Sequence, residues 1–204
     1  SYHRLCRTTE PETGSTVMAY DGANNLAWSA EGQSISGTAC SQSAVPAAAQ
    51  TTRTYDAMNR VLTLAPPAGT QSTVYTYDAL GRVHTAVSGT ATQGFAYNSL
   101  GQLTGESLQV DGFTWALGYG YDAYGHRSTV SYPAGMGTSE AVSYAPDAWG
   151  RPTRVGSYAT GVSYFPNGQV EGFTYGNGRS HLVQQNTRQL TGNFSDGAGS
   201  ALDL

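Results

Sequence analysis

Tyr77-Asp78-Ala79-Leu80-Gly81-Arg82-Val83 is the stretch from which the fold of this 204-residue chain is read. Tyr55-Asp56-Ala57-Met58-Asn59-Arg60-Val61 repeats it closely, and Tyr97-Asn98-Ser99-Leu100-Gly101-Gln102-Leu103 and Tyr121-Asp122-Ala123-Tyr124-Gly125 follow. Looser copies begin at Tyr20 and Tyr164, and in Pro146-Asp147-Ala148-Trp149-Gly150-Arg151 a proline takes the place of the tyrosine. From residue 55 onward the copies start at 55, 77, 97, 121, 146 and 164, a spacing of 18–25 residues. Self-similarity at that period marks a repeat architecture, in which each unit is one supersecondary element.

The fifth position of the unit says which element. It holds Asn24, Asn59, Gly81, Gly101, Gly125, Gly150 and Gly168, and Gly and Asn are the residues that tolerate positive φ. The second position is Asp or Asn in six of these seven copies, and such side chains bond backbone amides two residues on. Asp-x-x-Gly therefore predicts a type I turn followed by a left-handed residue, the three-residue hairpin loop with a bulge. Before each turn, apolar residues alternate (Tyr75/Tyr77, Phe95/Tyr97, Tyr119/Tyr121, Val142/Tyr144, Val162/Tyr164), which puts each pair on one strand face. After it, Val61, Val83, Leu103 and Val170 resume the apolar face. Each repeat is a β-hairpin, too small to be stable alone, so it must stack on its neighbours.

The expected fold is thus all-β, a single array of antiparallel hairpins. A divergent repeat occupies 1–32, and a Gly-, Ser- and Ala-rich surface loop is inserted at 33–50. Regular hairpins run over 51–180, including a tight turn of the primed type at Asn177-Gly178. A partial hairpin fills 181–204, with Asp196-Gly197 at its turn. Both ends look like cuts through a continuing array. The turn residues nominated as the structural site are Tyr55, Asp56, Asn59, Tyr77, Asp78, Gly81, Tyr97, Asn98, Gly101, Tyr121, Asp122, Gly125, Asp147, Gly150 and Gly168. Arg60, Arg82 and Arg151 are placed to pair with the aspartate of their own turn.

Composition excludes several function classes. The net charge is −4 and all 10 cations are scattered arginines, which leaves no basic face for nucleic acid. No apolar run of about 18 residues is present to span a bilayer, and no secretory leader is visible at Ser1-Tyr2-His3. Cys6 and Cys40 are too few for a disulfide scaffold. In an exported protein they would close a loop of about 35 residues, stabilising by roughly 3–4 kcal/mol; otherwise they are two free thiols, the commoner state and the expectation here.

Catalytic chemistry has no candidate. His3, His84, His126 and His181 sit in different repeats without ligand-like spacing. Asp56, Asp78, Asp122 and Asp147 already have a turn-capping role, which removes them as a paired-carboxylate site. No nucleophile elbow or phosphate loop occurs. No catalytic, cofactor-binding or metal residue is assigned, and no cofactor is expected.

A Tyr-Asp-x-x-Gly-Arg unit recurring about every 20 residues resembles the YD repeat of the Rhs family. That family includes bacterial polymorphic toxins, shell components of insecticidal toxin complexes, and teneurins. The resemblance covers nearly the whole chain. It implies that the hairpins are a strip of a spiral β-sheet shell, or cocoon, that holds a C-terminal toxin in bacterial members. The implied partners are the remaining repeats of a parent protein and its enclosed toxin domain, and the implied location is that of an exported or delivered bacterial effector. The array-closing segment of the family, with its aspartates of self-cleavage, has no counterpart in these residues. The alternative is a Tyr-rich recognition sheet at the cell surface binding a glycan or a partner protein through residues such as Tyr75 and Tyr119.

Overall fold

The computed structural model describes residues 4–133 and 140–197. Among them the regular structure is strand, apart from two single 3-10 turns at Gln42–Ala44 and Ala47–Ala49. Within each part of the chain hydrogen-bonded strands follow chain order without a crossover, each pairing antiparallel with the next. The chain divides into two compact units, one of residues 1–95 and 108–114, the other of 96–107 and 115–204.

The first unit contains β1 (Arg7–Glu10), β2 (Gly14–Tyr20), β3 (Leu26–Gln33), β4 (Thr51–Tyr55), β5 (Val61–Ala65), β6 (Thr73–Tyr77), β7 (Val83–Ser88) and the start of β8 (Ala91–Tyr97). Burial alternates along β4 and β6, where Thr51, Arg53, Tyr55, Thr73, Tyr75 and Tyr77 face inward and the residues between them face solvent. That is the period-2 pattern of an antiparallel sheet with one covered face. On the open face Thr76 and Thr85 share a hydroxyl hydrogen bond of 2.7 Å across β6 and β7, the cross-strand pairing such a sheet relies on. The buried apolar residues described in this unit are Val17, Ala30 and Val45, with Trp28, Ile35 and Ala49 packed against them, and Ser15 is buried beside them.

One expectation changes here, at the inserted loop of residues 33–50. Most of the loop is exposed, and its one buried side chain, Val45, packs with Val17 of β2 and Ala30 of β3. Arg7 holds the loop from below, its Nη2 donating to the Ile35 carbonyl at 2.6 Å and its Nη1 to the Ala39 carbonyl at 3.0 Å. The loop also brings Cys40 beside Cys6, and the two form a disulfide with Cα atoms 5.5 Å apart. The thiols are therefore not free: Cys6 is fixed just ahead of β1 by its carbonyl accepting from Met18 N–H, and Gln42 Nε2 donates to the Met18 carbonyl from the loop side. A sequence separation of 34 residues hid this proximity.

The second unit contains most of β9 (Leu103–Val110) and β10 (Phe113–Tyr121), then β11 (Arg127–Tyr132), β12 (Glu140–Ser143), β13 (Ala159–Tyr164), β14 (Val170–Tyr175), β15 (Ser180–Gln185) and β16 (Thr191–Gly197). Val130 and Val142 are buried and directly opposite each other on β11 and β12. Residues 144–158 form no named strand. They carry only single bridges, Pro146 to Pro152 and Val155 to Ala159, since a proline has no N–H to give to a ladder.

The last two turns also differ from expectation. At Asn177-Gly178 only Gly178 has positive φ (+82°), whereas a primed two-residue turn needs it at both positions. Tyr175 and Arg179 instead close a three-residue loop, Tyr175 N–H donating to the Arg179 carbonyl. Asp196-Gly197 is not a turn but the end of β16, with Asp196 opposite His181. The turn lies at Asn186–Leu190, where Gln189 takes φ +60° in place of the expected Gly or Asn. Residues 198–204 of the expected partial hairpin, like His3, lie outside the described residues.

Candidate functional site

The repeated turn is the one arrangement the chain builds over and over. In each copy the second residue's N–H donates to the sixth residue's carbonyl, and the fifth residue's N–H returns to the second residue's carbonyl. This pair recurs at Asp21, Asp56, Asp78, Asn98, Asp122, Asp147, Phe165, Tyr175 and Asn186. The fifth residue always has positive φ, from +60° at Asn59 to +87° at Gly125. Asn24, Gly81, Gly101, Gly150 and Gly168 fall in that range.

The second side chain caps the loop it begins. Asp78 Oδ1 accepts from Leu80 N–H and Arg82 N–H, both at 2.9 Å, while Oδ2 takes Arg82 Nε at 2.6 Å. Asp56 with Arg60 and Asp147 with Arg151 repeat this, down to ion pairs of 2.6 and 2.7 Å. Asn98 caps with its Oδ1 and donates from Nδ2 to Gln102 Oε1 at 2.7 Å. Asp122 faces His126, whose Nδ1 lies 3.0 Å away.

Neighbouring copies are joined by contacts that the sequence reading missed. The first-position tyrosine donates its hydroxyl to the seventh-position carbonyl of the copy before it. Tyr55 reaches Leu26 at 2.9 Å, Tyr77 reaches Val61 at 2.7 Å, Tyr121 reaches Leu103 at 2.7 Å and Tyr164 reaches Pro152 at 2.7 Å. The sixth-position arginine lies over the next copy's tyrosine, Arg60 over Tyr77 and Arg151 over Tyr164, each 4.4 Å from the ring centre. Partial burial, the leading cause, pushes the Tyr77 and Tyr164 hydroxyls above their ordinary pKa, so they stay protonated donors. Tyr and Arg are thus the joints of the array as well as its signature. The joint was discoverable from the pairing of Arg in one copy with Tyr in the next, a pattern visible at Arg60/Tyr77 and Arg151/Tyr164.

The fifth position has a second constraint. A Cβ on Gly81 would lie 3.2 Å from Arg60 Nη1, one on Gly125 3.0 Å from Gln102 Nε2, and one on Gly150 2.6 Å from the His126 ring. The sixth residue of one copy lies against the fifth of the next. Gly81→Val therefore combines a strained φ of +84° with crowding, and is expected to cost about 2 kcal/mol or more. Asn59→Gly, at a φ of +60°, relieves the backbone but gives up the exposed hydrogen bond that Asn59 Oδ1 accepts from Asn25 Nδ2 at 2.9 Å, so it should cost no more than about 1 kcal/mol. Equal urea midpoints for Gly81→Val and the parent chain would refute this account.

The caps also set the acid response. The Arg60 N–H holds the Asp56 carboxyl below its ordinary value of 3.8, and the Arg82 side chain does the same for Asp78. At Asp122 and Asp147 desolvation pulls upward but is outweighed by hydrogen bonds from His126 and Arg151 respectively. A carboxyl whose folded pKa is depressed adds stability that is full above its unfolded pKa and lost as pH falls through the folded value. The melting temperature should be level from pH 7 to about 5 and fall steeply below about 4. Asp78→Asn, which mimics Asn98, should flatten that fall, and a melting temperature that rose between pH 5 and 3 would contradict the assignment.

Among the described residues no group of three His, Cys, Asp or Glu is placed to hold a metal ion, and no helix is long and apolar enough to cross a membrane. Tyr75 and Tyr119 are half-buried rather than displayed. Arg127 lies 4.7 Å from the Tyr119 ring centre, and burial, the leading cause, with the nearby Glu106 carboxylate holds the Tyr119 hydroxyl above its ordinary pKa.

Residues 48–139, somewhat under half of the chain, match the Teneurin YD-shell family. Three crystal structures are similar over most of it. That of TcdB2-TccC3-Cdc42 has 12% identity and a TM-score of 0.47, covering 93% of this chain and 12% of that one. That of TcdB2-TccC3-TEV has 13% identity and a TM-score of 0.36, covering 95% and 13%. That of TcdB2-TccC3 without its hypervariable C-terminal region has 14% identity and a TM-score of 0.37, covering 93% and 14%. This chain therefore spans about an eighth of the length of the chains it is similar to. No curated protein matches it in sequence.

Proposed function

We propose that this chain of YD repeats is a wall segment of a shell whose parent protein encloses a C-terminal toxin, and that its role is structural rather than catalytic. The observation that carries the proposal is the joint between copies. Each turn is closed by its own hydrogen bonds, while Tyr55, Tyr77, Tyr121 and Tyr164 and the arginines Arg60 and Arg151 are committed to the adjacent copy, so the repeats are specialised to tile. The match of residues 48–139 to a shell family supports the same reading.

The fourth position supplies a second support. Met58 and Leu80 in the first unit, and Leu100, Tyr124 and Trp149 in the second, are apolar and exposed at the turn tips. Apolar tips in series are unusual on a free surface and fit a wall with something against it. A disulfide at Cys6–Cys40 fits a protein that reaches an oxidising compartment, in keeping with export or delivery.

The test uses the parent polypeptide. Protease treatment should leave its C-terminal segment intact while the array is folded and degrade it once the array is unfolded by acid. Native mass spectrometry should show the repeats and that segment in one particle. Flanking sequence without further YD units, or a C-terminal segment digested equally fast in both states, would refute the shell role.

A further inference from the structure

Among the copies that begin at 20, 55, 77, 97, 121, 146 and 164, one step lacks both the arginine and the tyrosine of the joint, the step from 121–127 to 146–152. In the regular joint an arginine at position six covers a tyrosine at position one of the next copy. Here the arginine is His126 and the tyrosine is Pro146. Pro146 has no hydroxyl to reach back to the carbonyl of the seventh residue, Arg127, and His126 has no guanidinium to lie above it. The result is an open crevice of about 470 Å³ within the second unit, lined by His126, Arg127, Val130, Tyr144, Trp149 and Pro152. That volume lies in the range of small-ligand sites.

We propose that this crevice binds a sugar residue carrying a carboxylate, such as a uronic acid. Trp149 is 78% exposed, and Arg151, itself tied to Asp147, lies 4.7 Å from its ring centre. One face of the indole is therefore backed, and the ring is held rather than loose. An aromatic face takes the C–H face of a pyranose, while polar groups at the rim fix its orientation. Arg127 supplies the charge. Among the described residues it makes no ion pair, lying instead over the Tyr119 ring, 4.7 Å from its centre. A guanidinium without a carboxylate partner beside an apolar wall selects a planar anion through bidentate hydrogen bonds.

His126 and Tyr144 add polar edges to that rim. The His126 ring is fixed on one side by Asp122, whose Oδ2 lies 3.0 Å from its Nδ1. Burial, the leading cause, and a hydrogen bond with Tyr132 push the Tyr144 hydroxyl above its ordinary pKa, so it remains a protonated polar group. A neutral sugar would leave the Arg127 charge unused. An acidic side chain on a peptide would use that charge and leave the indole bare.

Titration calorimetry with tri-galacturonate is the test, with maltotriose as the neutral counterpart, acetate as the bare anion and hexaglutamate as the acidic peptide. Tri-galacturonate should bind with a Kd on the order of 1 mM or tighter, and maltotriose at least tenfold more weakly. Trp149→Ala and Arg127→Gln should each weaken binding about tenfold or more, whereas Trp149→Tyr, which keeps an aromatic face, should retain it. Melting curves of all three variants report whether the fold is intact, and Trp149→Tyr keeps the test decisive if one of the others is unstable. No binding of tri-galacturonate at 10-fold above that Kd, or equal binding by Trp149→Ala, would overturn the proposal. Acetate binding as tightly would reduce the crevice to a simple anion site, and hexaglutamate binding more tightly would make it a protein-docking site; either overturns it.

Discussion

Reduction of the Cys6–Cys40 disulfide is expected to lower the stability of the first unit by about 3–4 kcal/mol, the loop-closure entropy for roughly 35 residues. The double variant Cys6→Ser/Cys40→Ser should reproduce the loss without reductant. The effect is large because the fully buried core of this unit is small. Val45 is part of it and is delivered by the same loop that carries Cys40. Opening the bridge gives the loop back much of its freedom and leaves its position to Arg7, Gln42 and the burial of Val45. Hydrogen exchange should therefore rise first over residues 34–50 and over β1, which has only β2 as a neighbour among the described residues. Urea midpoints that coincide with and without reductant would show that Arg7 and Val45 hold the loop unaided. The second unit contains neither cysteine and supplies the internal control.

Much of this architecture was legible because one local rule is written repeatedly. An acceptor side chain at position two and a positive-φ residue at position five force the same loop, whatever lies around it. The rule failed where a residue outside the expected set adopted the conformation. Gln189 takes φ +60°, with Asn186 Oδ1 accepting from Arg188 and Leu190 N–H, and this turn was read ten residues too late, at Asp196-Gly197. Asn186 carried the signal, a capping residue at the right distance from Tyr164. The Tyr and Arg joints were less accessible, since a side chain that crosses to the next hairpin obeys no local rule. The disulfide was least accessible, because its partners meet only once an insertion has folded back over β2. The crevice could be suspected only afterwards: His126 and Pro146 look like ordinary variation until the role of Arg and Tyr at those positions is known.

Gly176→Ala is expected to be the most damaging single-methyl change in the second unit. A Cβ at this position would lie within contact of the Ser157 carbonyl oxygen, a backbone atom that cannot rotate away, and near Tyr158 Cα. Gly176 also donates its N–H to the Tyr158 carbonyl at 2.7 Å. That bond ties the turn after β14 to the segment leading into β13, where single bridges replace regular ladder pairing. To admit the methyl, the two backbones must part, which gives up the hydrogen bond and overpacks the site together. Overpacking costs about 1–3 kcal/mol and the lost bond about 1 more, so a total near 3 kcal/mol is expected. Gly178→Asn is the matched control two residues away. Its φ is +82° and its Cβ would meet nothing within 4 Å, and Asn is the residue that best tolerates that conformation after Gly, so it should cost less than about 1 kcal/mol. The pair separates close approach from backbone conformation as reasons for glycine. Similar melting temperatures for the two variants would mean that the Ser157–Gly176 contact is not formed in solution, and with it would go the tie that holds β13 and β14 at this end.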